Sequence, residues 1–220
     1  MLCAKALFAG LALSQIGGHG DMRTGDVPSC GRAGYNGSLS MVVDGADEMR
    51  RTVRDHLRQG ADQIKLFVTG GVLSPTDPIW MEQLTDEEIL TAVIETRRMR
   101  TYVMAHALTT ESVRRCAELG VRSIEHALQM DAETAAFVAA SQSYVVTTLL
   151  IVTTLAEGRL PLPPGALEKA KRVAEQVVAS VESGQKAGVR MGWGTDLLGE
   201  LHGSELQELI VRSRVSVTLP

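Results

Sequence analysis

The chain has 220 residues, of which 45% are hydrophobic and 22% are charged, and its formal net charge is −4 at pH 7. This balance is typical of a globular protein with enough apolar material for one sizeable core. Lys and Arg form no basic stripe, so the sequence predicts no nucleic-acid partner. No stretch is long and apolar enough to predict a membrane span.

The cysteines and the N-terminal segment bear on the compartment. Cys3, Cys30 and Cys116 have neither metal-type nor redox-type spacing, and their number is odd. We therefore expect free thiols in a reducing, cytoplasmic setting. The apolar run at residues 6–13 follows a single lysine and has no clear cleavage pattern, so we interpret it as a strand rather than as part of a signal peptide.

Strand-like and helical patterns alternate along the chain after a glycine-rich loop at residues 17–37. Apolar residues at helical spacing, capping residues and glycine stops set the boundaries. The predicted strands are 6–13, 63–68, 101–106, 121–126, 144–150 and 189–196. The predicted helices begin near Asp44 or Asp47, at Thr85, at Thr109 or Thr110, at Asp131, near Ala166 and near Ser204, and Thr85 with Glu88 forms a capping box.

This regular β-α alternation predicts parallel strands joined by crossover helices, either in a barrel or in an open doubly wound sheet. No GxGxxG or Walker motif follows a predicted strand, so the nucleotide-binding open sheet lacks its usual support. We therefore favour an α/β fold of the TIM-barrel type. No linker divides the chain, and we treat residues 1–220 as one domain.

Four polar residues fall at or near the carboxyl ends of four predicted strands: Lys65, His106, His126 and Asp196. In a parallel β/α barrel these ends form the active-site mouth. Each residue alone has a structural explanation, since a histidine is often partly buried, an aspartate can cap a helix and a lysine can extend to solvent. The four together predict a functional site.

Lys65 lies inside a predicted buried strand, and two chemistries use such a lysine. Desolvation lowers the pKa of an amine and lets it form a Schiff base with a carbonyl. Alternatively, CO2 converts the amine into a carbamate anion that can bridge two metal ions. The two histidines and the aspartate are suited to zinc or a similar divalent ion, so we favour the metal site. Trapping a carbonyl substrate on Lys65 with borohydride would instead support a Schiff-base lyase.

Five segments of the sequence resemble the amidohydrolase superfamily of metal-dependent hydrolases, in particular its prolidase-like and imidazolonepropionase-like branch. They are GGHGD at 17–21, IKLFVTGGVLSPTDP at 64–78, MAHALTTESVRRCAELGVRSIEHALQMD at 104–131, YVVTTL at 144–149 and GWGTD at 192–196. The resemblance implies a (β/α)8 barrel in which this chain holds strands three to eight and lacks strands one and two and the small β-sandwich domain.

The resemblance also implies a role for each candidate residue. Lys65 would be the carboxylated lysine that bridges two metal ions, most simply two zinc ions, and His106 and His126 would be metal ligands. Asp196 would bind metal and act as the catalytic general base, and His19 would contact substrate. The implied reaction is hydrolysis of a C–N bond in a small molecule such as a dipeptide, an N-acyl amino acid or a cyclic amide.

Two departures from the family pattern matter. No His-x-His motif occurs, although the family takes histidine ligands of its first metal from one. His56 and His202 lie outside the candidate set, and we expect His56 to be exposed on a helix. Leu108 stands where some dipeptide-cleaving relatives have a tyrosine that can meet a substrate carboxylate. The alternative is therefore a catalytically incomplete fragment or a non-catalytic partner subunit. Open sheet edges would also favour a homo-oligomer.

Overall fold

A computed structural model describes residues 6–21, 23, 39–74, 77–158 and 160–215, without the side chain of Glu200. Cys3, Cys30 and much of the predicted glycine-rich loop lie outside these ranges. The described strands are β1 (Ala12–Ser14), β2 (Ser40–Val42), β3 (Ile64–Phe67), β4 (Val103–Ala107), β5 (Ser123–His126), β6 (Tyr144–Thr147) and β7 (Met191–Trp193).

The seven strands form one sheet in the order β2-β1-β3-β4-β5-β6-β7, and every neighbouring pair is parallel. This confirms the α/β class and an incomplete barrel of the TIM type. Six strands were predicted, and β2 is the one that was missed. It has only three residues, and it lies outside β1 because the chain returns to that edge before it enters the first helix.

Helices connect the strands as the alternation predicted. They are α1 (Ala46–Arg58), α2 (Asp86–Arg98), α3 (Thr110–Glu118), α4 (Ala132–Ala140), α5 (Leu149–Ala156), α6 (Ala166–Ala187) and α7 (Gln207–Val215), with a short 3-10 turn at Gly199–Leu201. None of the helices in the described ranges has the length and apolar character needed to cross a membrane.

Side-chain capping decides where several helices begin. Thr85, Thr109 and Asp131 each accept a hydrogen bond from a backbone N–H three residues on, as predicted. The prediction for α1 was wrong, because Gly45 is its N-cap and makes no side-chain hydrogen bond. Gly45 N instead donates to Glu88 Oε1 at 2.7 Å, so one buried carboxylate serves both α1 and α2.

Two further predictions were wrong. The strand predicted to reach residue 150 ends at Thr147, and Leu149 begins the unpredicted helix α5. His56, expected to be exposed, is only 6% exposed, and burial lowers the pKa of its imidazole. Its ring lies against the segment before β1, next to Gly10.

The core has two parts that together fix the sheet and the cavity above it. The larger part lies between the sheet and α1 to α4, where residues such as Leu13, Ile64 and Ile124 are fully buried. The second part joins α5 and α6 near the carboxyl ends of the strands, with Leu149 and Val173 at its centre. Each fully buried aliphatic side chain contributes about 1.5–3 kcal/mol to folding.

Candidate active site

The carboxyl ends of the strands surround a cavity of about 300 Å³. All five candidate residues line it: His19, Lys65, His106, His126 and Asp196. The sheet places them there because Lys65 lies on β3, His106 on β4 and His126 at the end of β5, while His19 follows β1 and Asp196 follows β7. Asp196 was predicted to end its strand, but it lies three residues beyond β7.

His106 and His126 form the centre of the site. Their ring centroids are 4.7 Å apart at an angle of 69°. Burial is the main cause that lowers the pKa of each imidazole well below its ordinary value, and the charge of Lys65 acts in the same direction, so both rings are neutral at pH 7. Neutral imidazole is the form of histidine that binds a metal ion.

Each of these two rings has one nitrogen held by a protein group. His106 Nε2 lies 3.2 Å from the Gly70 carbonyl oxygen, which can only accept, so Nε2 carries the proton and Nδ1 carries the lone pair. His126 Nδ1 lies 2.7 Å from Thr148 Oγ1, which makes Nε2 the nitrogen available to a ligand. Metal-binding histidines are commonly oriented by such a second contact.

The backbone is strained where strand β5 ends. His126 and the next residue, Ala127, have φ angles of 75° and 46°, in the left-handed region that residues with a side chain rarely adopt. Asp196 has a φ of 52°. Two of the four strand-end candidates thus have strained backbones, which is common at functional sites.

Lys65 is flanked by two carboxylates. Burial lowers the pKa of its amine, while Glu125 and Asp196 act in the opposite direction. Glu125, which the sequence reading did not select, lies beside His106 in the register of the sheet, and burial raises the pKa of its carboxyl. Asp196 is exposed at the cavity rim, yet the surrounding protein excludes enough water to raise the pKa of its carboxyl as well.

His19 belongs to the same group of rings and is held by the loop between β3 and α2. It stacks on His106 with centroids 4.6 Å apart. Its Nδ1 lies 2.7 Å from Ser74 Oγ and 3.4 Å from Asp77 Oδ2. Burial alone would raise the pKa of Asp77, but hydrogen bonds from His19, Ser74 and the Gly71 N–H outweigh burial and lower it.

The glycine pair at 70–71 allows this close approach. A Cβ on Gly71 would lie 2.1 Å from His19 Cε1, and a Cβ on Gly70 would lie 2.0 Å from the Pro78 carbonyl oxygen. Neither contact is sterically permitted, so a side chain at either position would displace the loop or the ring. In the sequence these glycines stand out only as part of the family motif, and the structure shows the steric reason for them.

These donors suit a divalent ion. In the ranges that the structure describes, no three His, Cys, Asp or Glu side chains are arranged to hold a metal ion by themselves. A carbamate on Lys65 would add anionic oxygen to two neutral imidazoles and the carboxylate of Asp196. Nitrogen and carboxylate-type oxygen donors are those that zinc takes in proteins.

The rest of the cavity wall is mainly apolar. Leu108 and Leu128 follow β4 and β5, and Ile151, Val152 and Leu155 come from α5. Leu108 is 2% exposed, and its side chain offers no hydrogen bond to a polar group. The cavity therefore combines a polar floor at the strand ends with an apolar wall.

The model of the family described as "Amidohydrolase family" matches residues 12–219. The chain is 33% identical over 198 residues to an ochratoxinase of Aspergillus niger, a match that covers 86% of this chain and 41% of that protein. The chain therefore spans about two fifths of the length of this curated relative.

The solved structures that the chain resembles include a prolidase and a Xaa-Pro dipeptidase. A prolidase in complex with N-methylphosphonate-L-proline has a TM-score of 0.88 and 40% identity, covering 94% of this chain and 52% of that one. A Xaa-Pro dipeptidase with methionine in its active site has a TM-score of 0.86 and 29% identity, covering 98% and 54%. The family match spans nearly the whole sequence and agrees with the predicted branch, and the chain belongs to the amidohydrolase family.

Proposed function

We propose that this chain carries the reaction centre of a metal-dependent hydrolase of C–N bonds. The observation that supports this most directly is the convergence of Lys65, His106, His126 and Asp196 on one cavity from four parts of the sheet. The prolidase and Xaa-Pro dipeptidase relatives support amide hydrolysis as the class of reaction.

In this proposal Lys65, His106, His126 and Asp196 hold two divalent ions, with zinc as the expected metal. Bound there, the ions would supply Lewis acidity, which polarises a carbonyl and lowers the pKa of water. Lys65 first reacts through its neutral amine, which attacks the carbon of CO2 and loses one proton to give a carbamate. Burial favours that neutral amine because it disfavours the ammonium form.

Asp196 is the proposed proton carrier. Its position at the rim lets its carboxylate take a proton from the water that attacks the amide carbon. It then gives this proton to the leaving nitrogen as the C–N bond breaks, so that the products are an amine and a carboxylic acid, which then ionises by releasing its proton to water. His19, held by Ser74 and Asp77, is placed to contact the substrate beside His106.

The apolar wall of the cavity limits the range of substrates that we propose. The proposed substrates are a dipeptide, an N-acyl amino acid or a cyclic amide. The leucine, isoleucine and valine side chains of the wall favour a compound of these classes that has an apolar group next to the scissile amide. Leu108 cannot bind a substrate carboxylate as the tyrosine of some relatives would.

A second candidate function is a non-catalytic or incomplete subunit. It is favoured by the lack of a His-x-His motif in the sequence and by the lack of a ready three-residue His, Cys, Asp or Glu site within the described residues. In that case the cavity would bind at most one ion, and another polypeptide would have to supply the remaining ligands.

Metal content tests the two candidates directly. We would express the protein with zinc and bicarbonate and count metal ions per chain by elemental mass spectrometry. About two ions per chain are expected for a binuclear site. We also expect amide hydrolysis that is abolished by Lys65→Ala and by Asp196→Asn. The control Lys171→Ala, at an exposed position, should retain this activity. One ion or none, with no turnover, would instead support the incomplete subunit.

A further inference from the structure

Lys169, on the first turns of α6, reaches across to the loop between β3 and α2. Its Nζ donates to three carbonyl oxygens of that loop, at 3.0 Å to Gly71, 2.9 Å to Ser74 and 2.7 Å to Asp77. An ammonium group has three protons, so these three acceptors use its full donor capacity. Lys169 was not selected from the sequence, since nothing in its helical pattern distinguishes it from the exposed Lys171.

The three acceptors belong to the residues that hold His19. Ser74 Oγ and Asp77 Oδ2 both face His19 Nδ1, and the backbone of Gly71 lies against the His19 ring. Asp77 Oδ2 also accepts from Gly71 N at 3.0 Å, which ties the two ends of this part of the loop together. One cation therefore binds the backbone of all three loop residues that contact the His19 ring.

Backbone hydrogen bonds hold the base of the loop, and Gln83 Nε2 adds one side-chain contact to Asp77 Oδ2 at 3.3 Å. Gly70 N donates to Met81 O and Gln83 N donates to Val68 O, which secures the two ends of the loop beside β3. Between these ends, Val72 and Leu73 pack against the apolar cluster of α5 and α6. Apolar packing has no preferred direction, whereas three hydrogen bonds converging on one nitrogen fix the orientation of the carbonyl groups.

The surroundings of Lys169 suit a charged ammonium group. The side chain is partly buried, which lowers the pKa of its ammonium group, and the Asp77 carboxylate in the same loop acts in the opposite direction. Charge-assisted hydrogen bonds are stronger than neutral ones, and carbonyl dipoles replace the water that the ammonium loses. The arrangement links α6 with the loop across 92 to 98 residues of sequence.

We propose that Lys169 is a positioning residue whose ammonium group fixes the loop between β3 and α2, so that Ser74 and Asp77 orient His19 in the cavity. Any effect on catalysis rests on the proposed function, in which His19 contacts the substrate. The effect on the orientation of His19 does not rest on the proposed function, because the orientation of this ring is a property of the folded protein alone.

The test compares Lys169→Met with Lys171→Met, which makes the same change at an exposed position of the same helix. Two readouts are followed: the ¹⁵N NMR signal of the His19 ring, assigned with His19→Gln, and hydrogen exchange of the backbone amides at 70–74. We expect Lys169→Met to shift the ring signal and to speed this exchange on the order of tenfold, since the lost hydrogen bonds protect the loop. Lys171→Met should change neither.

A chemical rescue separates positioning from a loss of fold. Lys169→Cys treated with 2-bromoethylamine regains an ammonium group at the same chain length, and the parental protein treated in the same way controls for modification of its own cysteines. Rescue should restore the His19 signal, the slow exchange and, where the protein hydrolyses amides, the parental kcat/KM. If Lys169→Met matches Lys171→Met in signal and exchange, the proposal is wrong. An inactive parental protein would overturn the proposed function. The NMR signal and the hydrogen exchange would then still decide whether Lys169 positions His19.

Discussion

At the scale of single residues, burial controls chemical reactivity. Cys116 lies on α3 inside the larger core cluster and is fully buried. Burial raises the pKa of its thiol to about 12, against the weaker opposing effects of Arg115 and Lys65. Because the thiolate is the reactive form of cysteine, the folded protein should keep this residue inert.

We therefore predict that Cys116 is not alkylated by iodoacetamide at pH 8 in the native protein and is alkylated fully in denaturant. Peptide mapping by mass spectrometry distinguishes it from Cys3 and Cys30. As the buried pKa lies about 4 units above this pH, less than about 0.1% of the thiol is ionised in the folded state. Alkylation of native Cys116 at the denatured rate would contradict the prediction.

The candidate site could be predicted from sequence only in part. Lys65, His106, His126 and Asp196 stood out because titratable residues recurred at strand ends, and all four line the cavity. Their roles as metal ligands remain proposals. Ser74, Asp77 and Lys169 could not be found in this way, because their importance lies in hydrogen bonds between residues 55 to 98 positions apart.

At the scale of secondary structure, α5 shows how a tertiary contact can create an element. Its N-cap, Thr148, makes no side-chain capping bond. Instead the fully buried Glu208 of α7 accepts hydrogen bonds from Leu149 N at 3.0 Å and Leu150 N at 2.6 Å. A carboxylate at a helix N-terminus satisfies backbone donors and interacts favourably with the helix dipole.

We predict that Glu208→Ala lowers the free energy of unfolding by about 1–3 kcal/mol, because it leaves two buried N–H groups without an acceptor. Glu208→Gln keeps one acceptor oxygen and should cost less. Urea denaturation monitored by circular dichroism measures both. Equal stability of the Ala variant and the parental protein would show that α5 does not depend on this contact.

At the scale of the whole molecule, the described sheet has two edges. β2 and β7 stand at its ends, and in the part of the chain that the structure describes neither has a neighbour on its outer side. Trp193 on β7 is 47% exposed at one of these edges. An exposed strand edge with a large apolar residue is a template for pairing with another strand, which supports the proposal of a homo-oligomer.

We predict that the protein self-associates with increasing concentration and that Trp193→Lys weakens this association, since a charged residue on an edge strand opposes strand pairing. Trp80→Lys is the matched control, because Trp80 is 74% exposed but lies in a loop. Light scattering after size-exclusion chromatography gives the mass of each variant. Association that responds equally to both substitutions would exclude a specific role for the β7 edge.

The sequence by itself determined the alternation of strands and helices, the parallel sheet and the places where most helices begin. These features depend on periodicity and on caps within a few residues, which local sequence encodes. Thr85, Thr109 and Asp131 are the clearest cases, since each capping bond spans three residues.

Only the tertiary structure decided the position of β2, the existence of α5 and the environment of His19. The β-branched and aliphatic run at 144–155 is compatible with strand or helix, and the distant Glu208 sets the start of the helix. The ring of His19 is oriented by a loop that Lys169 secures from α6. In each case the deciding interaction joins residues far apart in sequence, so no local pattern contains it.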